Sequence, residues 1–67
     1  MERYVTLLRD YGYKFTGDTL IERGIRGHTS DRVVGTFANA MAAAEHICPI
    51  IHDEEFTRRL ASFSADN

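Results

Sequence analysis

Hydrophobic positions recur at helical spacing in the middle of the chain, over residues 30–48. Successive apolar side chains there lie three or four residues apart, as they do on one face of an α-helix. These side chains are Val33, Val34, Phe37, Met41, Ala44, Ile47 and Cys48. Thr29 or Ser30 can cap the start of this helix, and Pro49 is expected to end it. The pattern therefore predicts one long helix.

A second amphipathic pattern follows Pro49. Its apolar stripe consists of Phe56, Leu60 and Phe63. Three carboxylates crowd its start, where the helix dipole favours negative charge, and His52 is the expected cap. The pattern predicts a helix over residues 53–64.

The first 27 residues fit two different structures. In one, an apolar helix face ends at Gly12, and Thr19 with Glu22 forms a capping box that begins another short helix. In the other, the alternating residues around Lys14 form a strand and the glycines mark turns. The helical face consists of Tyr4, Val5, Leu7, Leu8 and Tyr11.

Together these elements predict an all-α fold, a small bundle of three to four helices, in a single small domain over residues 1–67. The alternative is an α+β fold in which a small N-terminal antiparallel sheet precedes two helices. A chain of 67 residues removes only roughly 60% of its unfolded surface from water when it folds. We therefore expect a thin core and no enclosed pocket of several hundred cubic ångströms.

The charge of the chain is nearly balanced, with eight Lys and Arg residues against ten Asp and Glu residues and a net charge of -2. This balance excludes a polycation that coats nucleic acid or anionic lipid along its whole length. The single cysteine, Cys48, excludes an intrachain disulfide, and the N-terminus shows neither a signal peptide nor a membrane anchor. We expect a cytoplasmic protein.

The densest polar segment of the chain is residues 23–32, which combine basic side chains with two glycines and two hydroxyls. Glycine lets the backbone approach a ligand, and helix N-terminal amides with nearby arginines attract anions. No lysine follows the glycines as in a phosphate-binding loop. The predicted partner-binding residues are Arg23, Arg26, His28 and Arg32.

Residue types that bind zinc occur together at His46, Cys48, His52 and Asp53, but their spacing does not complete a tetrahedral set. A reactive thiolate usually lies at a helix N-terminus, whereas Cys48 is predicted at a C-terminus. We therefore expect no catalytic residue, no metal site and no cofactor.

A second face of the predicted long helix carries small residues, which allow another helix to approach closely. Because a chain of this length covers only one side of that helix, the second side is expected to contact another copy. We therefore predict a homodimer. Its interface residues are Gly35, Ala38, Asn39, Ala42 and His46.

These observations predict a small non-enzymatic protein–protein interaction module. Such a module acts as a stoichiometric inhibitor or adaptor of a larger protein or nucleoprotein complex, and viruses, phages and mobile elements often encode one. The alternative is a small nucleic-acid-binding regulator that uses the basic segment, residues 23–32. A helix-turn-helix arrangement around Gly27 would bury Glu22, Arg23 and Arg26 between helices, which disfavours that alternative.

Overall fold

A computed structural model describes the backbone of residues 2–25 and 27–65 and the side chains of residues 3–25 and 27–63. The chain forms one helix, then three strands, then two helices. The predicted all-α bundle is therefore wrong, and the molecule has the α+β fold of the alternative. The elements are α1 (Glu2–Asp10), β1 (Tyr13–Thr16), β2 (Thr19–Glu22), β3 (Arg32–Thr36), α2 (Ala40–Ile51) and α3 (Glu54–Ala65).

Helix α1 buries the face that its apolar spacing indicates. Leu7 and Leu8 are fully buried, and Tyr4 is nearly so. Gly12 ends this segment with a φ of 86°, a left-handed conformation that favours glycine, and its N–H donates to the carbonyl of Arg9 at 3.1 Å. The predicted helix and its glycine end are both confirmed.

Strands β1 and β2 form an antiparallel hairpin around the two-residue turn of Gly17 and Asp18. Gly17 has a φ of 63°, and tight hairpin turns need positive φ. The predicted capping box of Thr19 and Glu22 is wrong, because both residues lie in β2. The tight turn brings this segment back alongside β1 and buries Leu20 completely.

Strand β3 occupies the first part of the stretch predicted as the long helix. It pairs antiparallel with β2 and completes a sheet of strand order β1-β2-β3. Val33 and Val34 are β-branched and favour strands, and Val34 is the extra residue of a bulge. The predicted helix over residues 30–48 is therefore wrong at its start, and so is its cap at Thr29 or Ser30.

Helix α2 begins after Asn39, whose side chain accepts a hydrogen bond from the backbone N–H of Ala42 at 2.9 Å. The prediction that Pro49 ends the helix is wrong, because Pro49 lies inside the last turns of α2. Proline lacks one backbone donor there, and the helix continues past it. His52 ends the helix in the left-handed conformation, with a φ of 55°.

Helix α3 is the second predicted helix, but Asp53 caps it instead of His52. One carboxylate oxygen of Asp53 accepts the backbone N–H of Phe56 at 2.8 Å. The same oxygen accepts the hydroxyl of Tyr11 at 3.1 Å. The cap of α3 is therefore tied to the segment that follows α1.

The core lies where the helices meet the inner face of the sheet. Its buried side chains come from the three helices and from β1 and β2: Tyr4, Leu7, Leu8, Tyr13, Leu20, Ala40, Ala43, Ala44, Ile47 and Phe56. Helix α1 packs against β1, α2 and α3. An ion pair between Arg59 and Asp10, at 3.1 Å, joins α3 to the end of α1.

Aromatic rings strengthen the contact between the N-terminal and C-terminal helices. The rings of Tyr4 and Phe63 meet edge to face with their centroids 5.2 Å apart. Tyr11 and Phe56 meet in the same way at 5.1 Å. Such pairs add stabilisation beyond the area that they bury.

In the described part of the chain, no helix combines the length and the apolar character needed to cross a membrane.

Candidate functional site

An open cleft of about 470 Å³ lies beside α1 and β1. Helix α1 contributes two side chains four residues apart, β1 contributes three consecutive residues, and the β2–β3 connection contributes two. The lining residues are Val5, Arg9, Tyr13, Lys14, Phe15, Arg23 and Asp31. A cleft of this size was not expected from a chain this short, and it remains compatible with a packed core because it is open to solvent.

Three cations surround this basic cleft: Arg9, Lys14 and Arg23. All three are exposed. Among the described residues, none of them forms an ion pair. The carboxylate of Asp31 opposes these three positive charges. The cleft is therefore locally positive in a chain of net charge -2, and it attracts anions.

The remaining walls of the basic cleft are apolar or neutral. Phe15 is half-buried and Val5 is partly exposed. Tyr13 is buried, and burial raises the pKa of its hydroxyl; the carboxylate of Glu22 acts in the same direction and Arg32 opposes it. Tyr13 is therefore uncharged at neutral pH. The cleft offers apolar surface next to positive charge.

Hydrogen bonds within the β2–β3 connection, residues 23–31, fix one side of the cleft. The backbone N–H of Gly24 donates to Asp31 Oδ1 at 2.7 Å, and that of Ile25 donates to Thr29 Oγ1 at 2.7 Å. A Cβ added at Gly24 would clash with the carbonyl oxygen of Thr29. The close approach of these two backbone segments therefore requires glycine at position 24. The bond from Gly24 holds Asp31 next to Arg23.

The structure describes three of the four residues predicted to bind a partner. Arg23 lines the basic cleft, whereas Arg32 forms an ion pair with Glu22 across the two strands at 2.9 Å. His28 is exposed in the connection, and Arg26 lies outside the described residues. Arg23 and Arg32 nevertheless line a second open pocket together, and Arg23 also lines the basic cleft with Arg9 and Lys14.

Arg9 and Lys14 complete the cleft with Arg23, but the sequence pattern does not single them out. Two features of the sequence are consistent with their positions in the cleft. Val5 and Arg9 are four residues apart and share a face of α1. Lys14 alternates with two aromatic residues, so it faces away from them on a strand. Neither signal locates a cleft until α1 and β1 are known to be adjacent.

The residues predicted to form a dimer interface do not share one helix face. Gly35 lies in β3, Ala38 precedes α2, and Asn39 caps α2. Ala42 and His46 lie within α2, four residues apart. The small-residue stripe is therefore divided between a strand, a connection and a helix.

The residues weighed as zinc ligands also have other surroundings. His46 and His52 are exposed, and Cys48 is half-buried with its Sγ 3.4 Å from Thr57 Oγ1. Within the described residues, no three His, Cys, Asp or Glu side chains form a group that could hold a metal ion.

Comparisons with known proteins found no relative: no family model, no curated protein and no solved structure matches this chain. The chemistry of the basic cleft is therefore the basis for a functional proposal.

Proposed function

We propose that this chain is a small non-enzymatic protein-interaction module that binds an acidic part of a larger protein through its basic cleft. The observation that supports this proposal is the convergence of Arg9, Lys14 and Arg23 on one cleft with no ion-pair partner among the described residues. Carboxylates form charge-assisted hydrogen bonds with such cations. Stoichiometric binding of this kind suits an inhibitor or adaptor of a larger complex.

The charge distribution favours a protein partner over nucleic acid. The net charge of -2 and the acidic run at residues 53–55 repel a long polyanion. Asp31 places a further carboxylate at the cleft itself. A nucleic-acid surface usually extends as a basic patch or stripe, whereas these three cations converge on one short cleft.

The proposal includes a cytoplasmic location and no catalytic step. Cys48 is a free thiol, and a reducing cytoplasm keeps thiols free. Burial raises the pKa of Tyr11, and its hydrogen bond to Asp53 acts in the same direction; the backbone N–H of Phe56 and then the hydroxyl of Tyr11 lower the pKa of Asp53. Their perturbation therefore has a structural explanation.

Charge reversal in the cleft tests this proposal, with a fluorescein-labelled oligoglutamate peptide as the probe. We expect Arg9→Glu and Arg23→Glu each to weaken peptide binding by at least about tenfold, or about 1.4 kcal/mol, in fluorescence anisotropy at low salt. The matched control is Arg58→Glu on α3, an exposed position whose side chain lies 3.5 Å from Glu54. It should weaken binding by less than about twofold.

Duplex DNA under the same conditions tests the nucleic-acid alternative. We expect no binding tighter than the non-specific range of roughly 10⁻⁴ to 10⁻⁶ M. Nanomolar, competitor-resistant DNA binding that Arg23→Glu abolishes would replace the protein partner by nucleic acid. Equal peptide affinities for the two cleft variants and the Arg58→Glu control would rule out the cleft as the contact surface.

A further inference from the structure

The free edge of β1 opens into the basic cleft. The carbonyl of Gly12 accepts the backbone N–H of Arg23 at 2.8 Å, so these two residues are a hydrogen-bonded pair. Hydrogen-bonded and non-hydrogen-bonded pairs alternate along an antiparallel ladder. Tyr13 and Phe15 therefore occupy non-hydrogen-bonded positions, and their backbone N–H and C=O groups point away from β2. Both residues line the cleft.

The two edges of the sheet differ in regularity. In β3 the register shifts at Val34, and this bulge interrupts the ladder next to the outer edge. Bulges of this kind protect edge strands from pairing with other chains. Strand β1 pairs with β2 in unbroken register over its full length. The regular edge is therefore the one that faces the cleft.

Side chains of the cleft lie on both sides of this edge. Lys14 pairs with Ile21, so their side chains lie on the same face of the hairpin. Arg23 comes two residues after Ile21, and because side chains alternate along a strand, Arg23 shares that face. Phe15 lies on the opposite face, which packs against the core. Val5 of α1 is a second apolar residue of the cleft. An added strand would therefore meet cations on one face and apolar surface on the other.

We infer that the partner binds as an extended acidic segment that adds a strand to the free edge of β1. This inference rests on the proposed function. The backbone of this segment bonds to Tyr13 and Phe15. Because side chains alternate along a strand, a segment of alternating acidic and apolar residues fits both faces. Its carboxylates meet Lys14 and Arg23, and its apolar side chains lie toward Phe15. Strand addition of this kind combines backbone affinity with side-chain specificity.

Residue-resolved amide exchange of the full chain tests strand addition, with a peptide of about eight alternating Glu and Val residues as the probe. We expect bound peptide to slow exchange at Tyr13 and Phe15 by at least about tenfold, because their N–H groups gain partners. The control is Lys14, whose N–H already bonds to β2 and should change by less than about twofold. Unchanged exchange at Tyr13 and Phe15 with saturating peptide would overturn the inference.

A second peptide, N-methylated at every backbone nitrogen, keeps the carboxylates but cannot donate backbone hydrogen bonds. We expect it to bind at least about tenfold more weakly than the unmodified peptide. Equal binding of both peptides, weakened in both cases by Arg23→Glu, would refute strand addition and leave the proposed function standing. Failure of the protein to bind either peptide would refute the proposed function as well.

Discussion

Asp53 joins two distant parts of the molecule through one carboxylate. It accepts the backbone N–H of Phe56 at 2.8 Å and the hydroxyl of Tyr11 at 3.1 Å. The hydrogen bond from Phe56 is the main cause that lowers the pKa of Asp53. Burial opposes it, and the bonds from Tyr11 and the backbone of Glu55 lower the pKa further. The folded chain therefore prefers the charged form of this residue.

The pH dependence of stability should report this preference. An unfolded Asp has a pKa of about 3.9, so Asp53 stabilises the fold above that value. The contribution is lost as the pH falls through the lower folded pKa. Asp53→Asn keeps a capping oxygen but does not titrate. We expect the wild type to exceed this variant in free energy of unfolding at neutral pH.

The difference between wild type and Asp53→Asn should be constant well above the unfolded pKa of about 3.9 and shrink as the pH falls through the lower folded pKa. Urea denaturation followed by circular dichroism measures it. Subtracting the variant removes the contributions of the other carboxylates. A difference that is independent of pH would contradict the lowered pKa.

The residues of the basic cleft show how far single positions could be predicted. Arg23 stands out in the sequence because it lies in a dense basic segment. Arg9 and Lys14 are ordinary charged residues until the turn at Gly12 folds α1 back beside β1. The sequence left that region open between helix and strand, so the meeting of these cations could not be derived from it.

At the scale of elements, β3 is where local pattern and tertiary pairing disagree. The spacing of Val33, Val34 and Phe37 fits a helix face, but Val33 and Val34 are β-branched and suit a strand. An isolated two-stranded hairpin is marginally stable, and β3 supplies the third strand beside β2. Pairing across the sheet therefore decides the structure. The helical alternative for α1 and the predicted helix α3 are both confirmed.

The true start of α2 gives a direct test of this correction. We expect Asn39→Ala to lower the free energy of unfolding by about 1 kcal/mol, because the N–H of Ala42 loses its acceptor. Asn39→Asp keeps an acceptor and should stay close to the wild type. Ser30→Ala, at a position that the sequence pattern favours as a cap, should cost less than about 0.5 kcal/mol. Thermal or urea unfolding measures all three, and equal losses at positions 30 and 39 would contradict the assignment.

At the scale of the whole molecule, one helix face remains available for self-association. Ala42, His46 and Ile50 lie four residues apart along α2 and therefore share a face. The side chain of Ile50 is 64% exposed. This face retains the part of the predicted homodimer interface that lies in a helix, and the homodimer stays a prediction.

Light scattering at micromolar concentration tests this prediction. We expect the wild type to have twice the chain mass of 7.6 kDa, and Ile50→Glu to halve it, because a charge on this face is costly to bury in an interface. Val33→Glu is the matched control, since Val33 is 63% exposed on the sheet; it should leave the dimer intact. A wild-type mass of one chain would contradict the homodimer.

The contact between α1 and α3 also determines the order in which the chain can fold as it is synthesised. Arg3 donates to the carbonyl of Phe63 at 3.3 Å, and Arg59 pairs with Asp10. The β1–β2 hairpin involves only neighbouring residues, so it can form while later segments are still inside the ribosome. The apolar face of α1 emerges before the hairpin and packs against β1 and α2, but its contact with α3 is completed only after α3 has been released. A ribosome that pauses before α3 therefore holds a nascent chain in which Tyr4 lacks its contact with Phe63, and this uncovered apolar surface is a target for chaperones.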